Sequence, residues 1–366
     1  MPERETPAFK LGSAGVAAAS IGAAAAGGEE PGIVWLLEDT HAGGSEGALA
    51  IAERLGVEFR RVPLRWRGAR LRGLGVTWRG AALGSLCGLQ SPLPLATGQP
   101  GLTMSSGRRA ARVAAWLKQA CGSEMVQYGE AGLAGRAADL RVVDAPVAAS
   151  RLVLPVLGAP QRVCPTAVQA ARAVWRERLE HLPHPRLALV LGCGPFGSAL
   201  PPSEAFRLGQ GLTEALRGAG GAILAMAGQA AGAEAVEALA AGLGGGLHLL
   251  HREGEPGPDP GLGFMALADA IVVAGHAGPA LLRACALPVP VYVAPIGPTQ
   301  PRERRLQRRL AEAGHVRKLE GEIGGWSRPA LDEAGRAARE VRALMARTCA
   351  GGGAGGGAGG AAGWAA

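Results

Sequence analysis

The chain has 366 residues, a net charge of +8 and 48% hydrophobic residues, with only 4% aromatic. That length exceeds what one core usually organises and suits two domains. Arginine dominates, with only Lys10, Lys118 and Lys318 beside it. This is the bias of a GC-rich, bacterial genome, so the positive charge is discounted and no nucleic-acid partner is expected. Cys87, Cys121, Cys164, Cys193, Cys285 and Cys349 are scattered without a C-x-x-C pair. They define neither a disulfide framework nor a zinc site, and a cytoplasmic, reducing compartment fits them. No strongly apolar run is long enough to span a bilayer.

Residues 1–31 read as a disordered low-complexity extension; the alanines of 13–28 are too weakly apolar for a signal-peptide core. The segment 32–180 reads as an N-terminal α/β domain. It has strands at 33–37, 57–62, 101–104, 124–128, 139–143 and 152–156, and helices at 45–55, to 121 and at 166–180. Ser45 is the N-cap candidate of the first helix. Pro183 and Pro185 make 181–185 the linker. The pattern then restarts over 186–325: strand 187–191, helix 203–217, strand 222–226, helix 233–241 and strand 247–250. The stretch 262–295 carries helix, strand, small-residue loop, helix and strand, a βαβ unit of the kind whose loop faces phosphate-bearing ligands. A C-terminal helix falls within 326–348, and 349–366 is a Gly/Ala tail. Repeated βα alternation predicts an α/β fold of two doubly wound, Rossmann-like domains facing a cleft, with the C-terminal helices able to pack back on the first.

Several loops carry candidate chemistry. Gly192-Cys-Gly194-Pro-Phe-Gly197 matches G-x-G-x-x-G after a strand, as dinucleotide sites do. Pro195, Pro201 and Pro202 delay the helix, however, and the next strand ends without the acid that would hold a ribose. A Gly loop near a phosphate is the alternative. Asp39-Thr-His41-Ala-Gly43-Gly44-Ser45 holds an acid–imidazole pair, and Asp39 and His41 are the proton-transfer candidates; a plain turn with an N-cap explains the loop equally well. Ser106-Gly107-Arg108-Arg109 starts a helix with two cations, which oppose the helix dipole unless an anion lies nearby. Gly275, His276 and Gly278 line the loop of the 262–295 unit, and Arg283 follows in its helix. The segment 60–79 interleaves seven arginines, from Arg60 to Arg79, with Trp66 and Trp78. This suits an anionic membrane surface, peripheral at the inner membrane, or a packed loop. PRERRLQRRL from Pro301 reads first as a solvated basic helix.

Trp35-Leu-Leu-Glu-Asp39, Ser106-Gly-Arg-Arg109, Gly158-Ala-Pro-Gln-Arg-Val-Cys-Pro165, Leu262-Gly-Phe-Met-Ala-Leu-Ala-Asp-Ala-Ile-Val-Val273 and Pro290-Val-Tyr-Val293 occur in that order. Together, over residues 33–345, they resemble the mitochondrial-fission "elongated mitochondria" family. The resemblance implies a two-domain glycosyltransferase-B-like fold with a nucleotide-sugar cleft; no cofactor is expected beyond such a donor, and no metal, because neither His181/His184 nor His248/His251 has a third ligand in the sequence pattern. In plants the family acts at the mitochondrial surface in recruiting a dynamin-like fission protein. Polar positions of the family are replaced at Gly47, Pro146-Val147, Ala227–Ala230, His276-Ala277 and Arg283, which implies an eroded donor site. Two expectations follow: nucleotide-sugar-dependent glycosyl transfer by ancestry, or a non-catalytic member working through protein or membrane contacts. A donor would lie over Gly192, Gly194, Gly197, Gly275, His276 and Gly278. Ser106, Arg108, Arg109, Gly43, Gly44 and Arg283 would complete its surroundings.

Overall fold

The computed structural model describes residues 33–39, 45–66, 89–95 and 98–352. Two six-stranded sheets result. The first runs β2-β1-β3-β4-β5-β6, from β1 (Ile33–Asp39), β2 (Phe59–Leu64), β3 (Pro100–Ser106), β4 (Glu124–Tyr128), β5 (Leu140–Val143) and β6 (Val153–Pro155). The second runs β12-β11-β10-β7-β8-β9, from β7 (Arg186–Leu191), β8 (Ala222–Ala227), β9 (His248–Arg252), β10 (Ala270–Ala274), β11 (Val291–Ala294) and β12 (Arg317–Lys318). Every pairing in both sheets is parallel.

Parallel strands need both faces covered, which is why β8 and β10 are apolar throughout, while β3 and β4 bury the hydrogen-bonded pair Ser105 and Gln127. In β1, Val34 and Leu36 join one core while Trp35 and Leu37 join the opposite one. In β10, Ile271 and Val273 face one layer, and Ala270, Val272 and Ala274 the other. Helix α1 (Glu46–Glu53) covers one face of the first sheet. Helix α2 (Arg108–Cys121) covers the other with Ala110, Ala111, Val113, Ala114 and Leu117, a helical stripe. Ser45 has helical backbone angles (φ −76°, ψ −16°) and makes no side-chain cap, so the expected N-cap is absent.

Helix α3 (Pro165–Leu179) precedes the proline-rich segment but packs on the second half. Its Trp175 meets Phe264 of α6 (Gly261–Leu267) edge-to-face, with ring centroids 5.0 Å apart. Gly263 makes this contact possible, because a Cβ there would lie 2.1 Å from the Trp175 ring. Helices α4 (Pro202–Arg217) and α5 (Ala233–Leu243) cover the opposite face of the second sheet. The β10–β11 connection is α7 (Gly278–Cys285), and the β11–β12 connection is α8 (Pro301–Glu312).

The last helix, α9 (Glu333–Gly352), returns to the first half. Ala337, Ala338, Val341 and Leu344 pack beside Ile51 and Ala52 of α1. Asp332 accepts the Gly335 N–H at 2.9 Å and pairs with Arg54 at 2.7 Å, so one carboxylate starts the helix and anchors it. Arg328 supports the preceding turn from inside. Only 6% exposed, it donates to the carbonyls of Ala284, Cys285, Leu287 and Val289 at 2.6–3.0 Å, closing the end of α7.

Candidate functional site at the two switch points

In an open parallel sheet, ligands bind outside the carboxyl ends of the strands, where the strand order reverses. In the first sheet that reversal lies between β1 and β3, and in the second between β10 and β7. The ends of these four strands and the loops after them carry Asp39, Ser106, Gly192–Gly197 and Gly275–Gly278, so topology gathers most of the sequence candidates at two places.

At the first switch point Asp39 and Ser106 are buried at their strand ends, each 7% exposed. His41, Gly43 and Gly44 lie outside the described residues. Gly107 turns the chain with φ +84°, and α2 begins at once. Both arginines there have partners in the chain. Arg108 pairs with Glu130 at 2.9 Å, and Arg109 lies over the Trp66 ring at 5.9 Å. Tyr128, at the end of β4, lies against α1: a Cβ on Gly47 would stand 2.5 Å from its ring. Burial pushes the Tyr128 hydroxyl up to about 12, with the Asp144 charge adding to it.

The second switch point is built more tightly. Cys193 and His276 exchange backbone hydrogen bonds, His276 N–H to Cys193 O at 2.7 Å and Cys193 N–H to His276 O at 3.3 Å. The two loops are thereby locked side by side. Gly192 permits this approach, since a Cβ there would lie 2.4 Å from His276 O. Gly275 supplies the φ +74° turn into the loop. The His276 Nε2 accepts the Gln300 N–H at 3.0 Å, so the ring is held by the chain before α8.

Around Gly194–Gly197 the chain makes a tight turn with Phe196 at φ +55° and 95% exposed. Helix α4 then begins at Pro202, and its first-turn Glu204 accepts the Gly297 N–H at 2.6 Å. The dinucleotide arrangement, with a helix starting directly on the Gly loop, is therefore not formed. Arg283 stands in the last turn of α7, with its guanidinium beside Gly261.

Two residues that the sequence reading passed over complete the picture. Glu303 brings a carboxylate to the first turn of α7: its Oε2 lies 3.0 Å from where a Cβ on Gly278 would be, and the Ala277 N–H favours its charged form. Burial outweighs that help and raises the Glu303 carboxyl. Arg309 reaches from α8 to the first half, donating to Asp144 Oδ1 at 2.9 Å and to the Val156 carbonyl at 2.8 Å. The helical period held the signal for Glu303. It shares a stripe with Leu306, Gln307 and Leu310, while Arg302, Arg304, Arg305 and Arg308 are exposed. A separate cavity of about 370 Å³ opens between α4 and the ends of β11 and β12, lined by Arg207, Leu208, Leu212, Pro295 and Leu319. Among the described residues no helix is long and apolar enough to cross a membrane.

The fold resembles several solved structures at low identity. The UDP-GlcNAc 2-epimerase of Methanocaldococcus jannaschii is 12% identical with a TM-score of 0.49, over 86% of this chain and 99% of that one. MurG of Acinetobacter baumannii is 14% identical with a TM-score of 0.45, over 87% and 92%. A UDP-glucosyltransferase of Polygonum tinctorium is 12% identical with a TM-score of 0.46, over 87% and 94%. No protein of curated function gives a significant match by sequence. The family model for mitochondrial fission ELM1 matches residues 42–345. Covering five of the six strands of the first sheet, all of the second and most of the last helix, that match makes this chain a member of the mitochondrial fission ELM1 family.

Proposed function

We propose that the protein binds a nucleotide sugar at the second switch point, as a glycosyltransferase-B-like protein whose donor site is weakened for transfer. The observation that carries this reading is the locked pair of loops, Cys193 against His276, set at the N-terminus of α7. A strand-order reversal beside a helix N-terminus suits a diphosphate, because first-turn N–H groups and the helix dipole converge there. Asp39, buried at the first switch point, stays the candidate base, with His41 beside it in sequence. The test is thermal stability of the purified protein against UDP, GDP, ADP and CMP sugars, with NADH as control. A ligand at about 100 times its Kd adds roughly 2.7 kcal/mol. A shift with one nucleotide class supports the reading and names the donor. A flat panel on a folded protein refutes it.

A non-catalytic role is favoured by one specific observation: the Glu303 carboxylate already stands where a diphosphate would. In that case the cleft is a scaffold, and partners are met through its surface. The basic segment from Arg60 to Arg79 is the proposed contact to an anionic membrane. Of it only 60–66 fall within the described residues, where Arg61 pairs with Glu38 at 2.9 Å. Co-sedimentation with anionic vesicles at low salt tests that contact, and no binding there would end it.

A further inference from the structure

We infer that Glu303 is the chain's own occupant of the anion slot at the first turn of α7, and that it decides whether a diphosphate can enter. The inference rests on the nucleotide-sugar reading of the second switch point and adds a specificity residue to it. Glu303 Oε2 lies 3.0 Å from the Cβ position of Gly278, the first residue of α7. The Ala277 N–H is turned toward this carboxylate. Pro279 has no N–H, so the first turn has only Gly278 and Ala280 to offer besides Ala277. An incoming diphosphate would compete for the same few donors.

The energetics are consistent with an occupant under tension. The Gln307 amide faces the carboxylate from one turn along α8, yet Oε1 is buried without a hydrogen bond. A half-satisfied carboxylate on a buried stripe is costly, and the helix dipole offsets only part of that cost. The charged and titratable groups facing Glu303 are His276, from the β10–α7 loop, and Arg302, from its own helix; the Arg302 charge favours the carboxylate, but burial prevails and raises its pKa. As pH falls through that raised value the charge is lost. The repulsion against a bound diphosphate then goes with it, so anion affinity rises on the acid side.

The test is isothermal titration of the full chain with UDP-glucose, ADP-glucose and GDP-mannose, as wild type, Glu303→Gln and Glu303→Ala. These diphosphate diesters keep their charge between about pH 5.5 and 8, so any pH dependence belongs to the protein. Glu303→Gln keeps the shape and removes the charge, and it guards against a misfolded alanine variant. Expected is a gain of at least about tenfold for one nucleotide sugar in Glu303→Gln at pH 8. As pH is lowered toward the ordinary carboxylate range, the advantage of Glu303→Gln over wild type is expected to shrink. Equal affinity of wild type and Glu303→Gln at pH 8 overturns the role of Glu303 and leaves the nucleotide-sugar reading standing. No binding by any folded variant overturns both.

Discussion

Arg309 Nη1 lies 2.9 Å from Asp144 Oδ1, joining a helix of the second half to the loop after β5 in the first. The same guanidinium donates to the Val156 carbonyl, and Asp144 also accepts the Gly158 N–H at 3.1 Å. Arg309 is 17% exposed, so it is partly shielded from solvent. Arg309→Ala should lower unfolding free energy by about 1–2 kcal/mol and let the halves separate. Urea unfolding measures the first effect and small-angle scattering the second. An unchanged radius of gyration would mean that other contacts hold the halves together.

Gly192 is a packing glycine, and the prediction for it is steric. Gly192→Ala places a carbon 2.4 Å from a backbone oxygen, which must move and break the Cys193–His276 pairing. A loss of about 2 kcal/mol or more is expected. Gly197→Ala is the control: its Cβ meets nothing, and only φ +78° resists it, for about 1 kcal/mol. If the two variants melt alike, the close approach at Gly192 is not as described.

Glu303 should also show in stability against pH. Its carboxyl is raised in the folded chain, so its contribution is fully present below the ordinary carboxylate pKa and is lost as pH rises through the raised value. Glu303→Gln removes that loss. The melting-temperature difference, variant minus wild type, should therefore grow as pH rises from below the ordinary carboxylate range. A difference independent of pH would contradict the burial of the charge.

Asp332 has the opposite sign. Burial works to raise its carboxyl, but the Arg54 pair and the Gly335 N–H outweigh it and hold it below the usual range. Its contribution is present above the ordinary carboxylate pKa and lost as pH falls through the lowered one. Asp332→Ala should cost about 1–2 kcal/mol near neutrality, chiefly through the lost cap. The ion pair adds little, because the Asp332 side chain is 41% exposed. Urea titration at neutral and acid pH should show the cost shrinking in acid.

The βα alternation was legible because parallel strands such as 270–274 are apolar on both faces and the helices between them are amphipathic. The switch points followed from that alternation once the strand order was known. What stayed hidden depended on long-range packing. Helix α3 buries Trp175 and Leu179, too short a stripe to tell from its pattern which sheet it covers. Arg108 and Arg109 looked poised for a ligand, but Glu130 and Trp66, distant in sequence, take them. Glu303 was masked by the arginines around it, although its stripe with Leu306 and Leu310 set it facing inward.

The most direct measurement is amide hydrogen exchange along the whole chain, with and without a saturating pool of UDP, GDP, ADP and CMP sugars. The account predicts protection concentrated at 192–198 and 275–280, the paired loops and the first turn of α7. Protection confined to the α4 cavity around Arg207 and Leu208, or none anywhere in the folded protein, would contradict it.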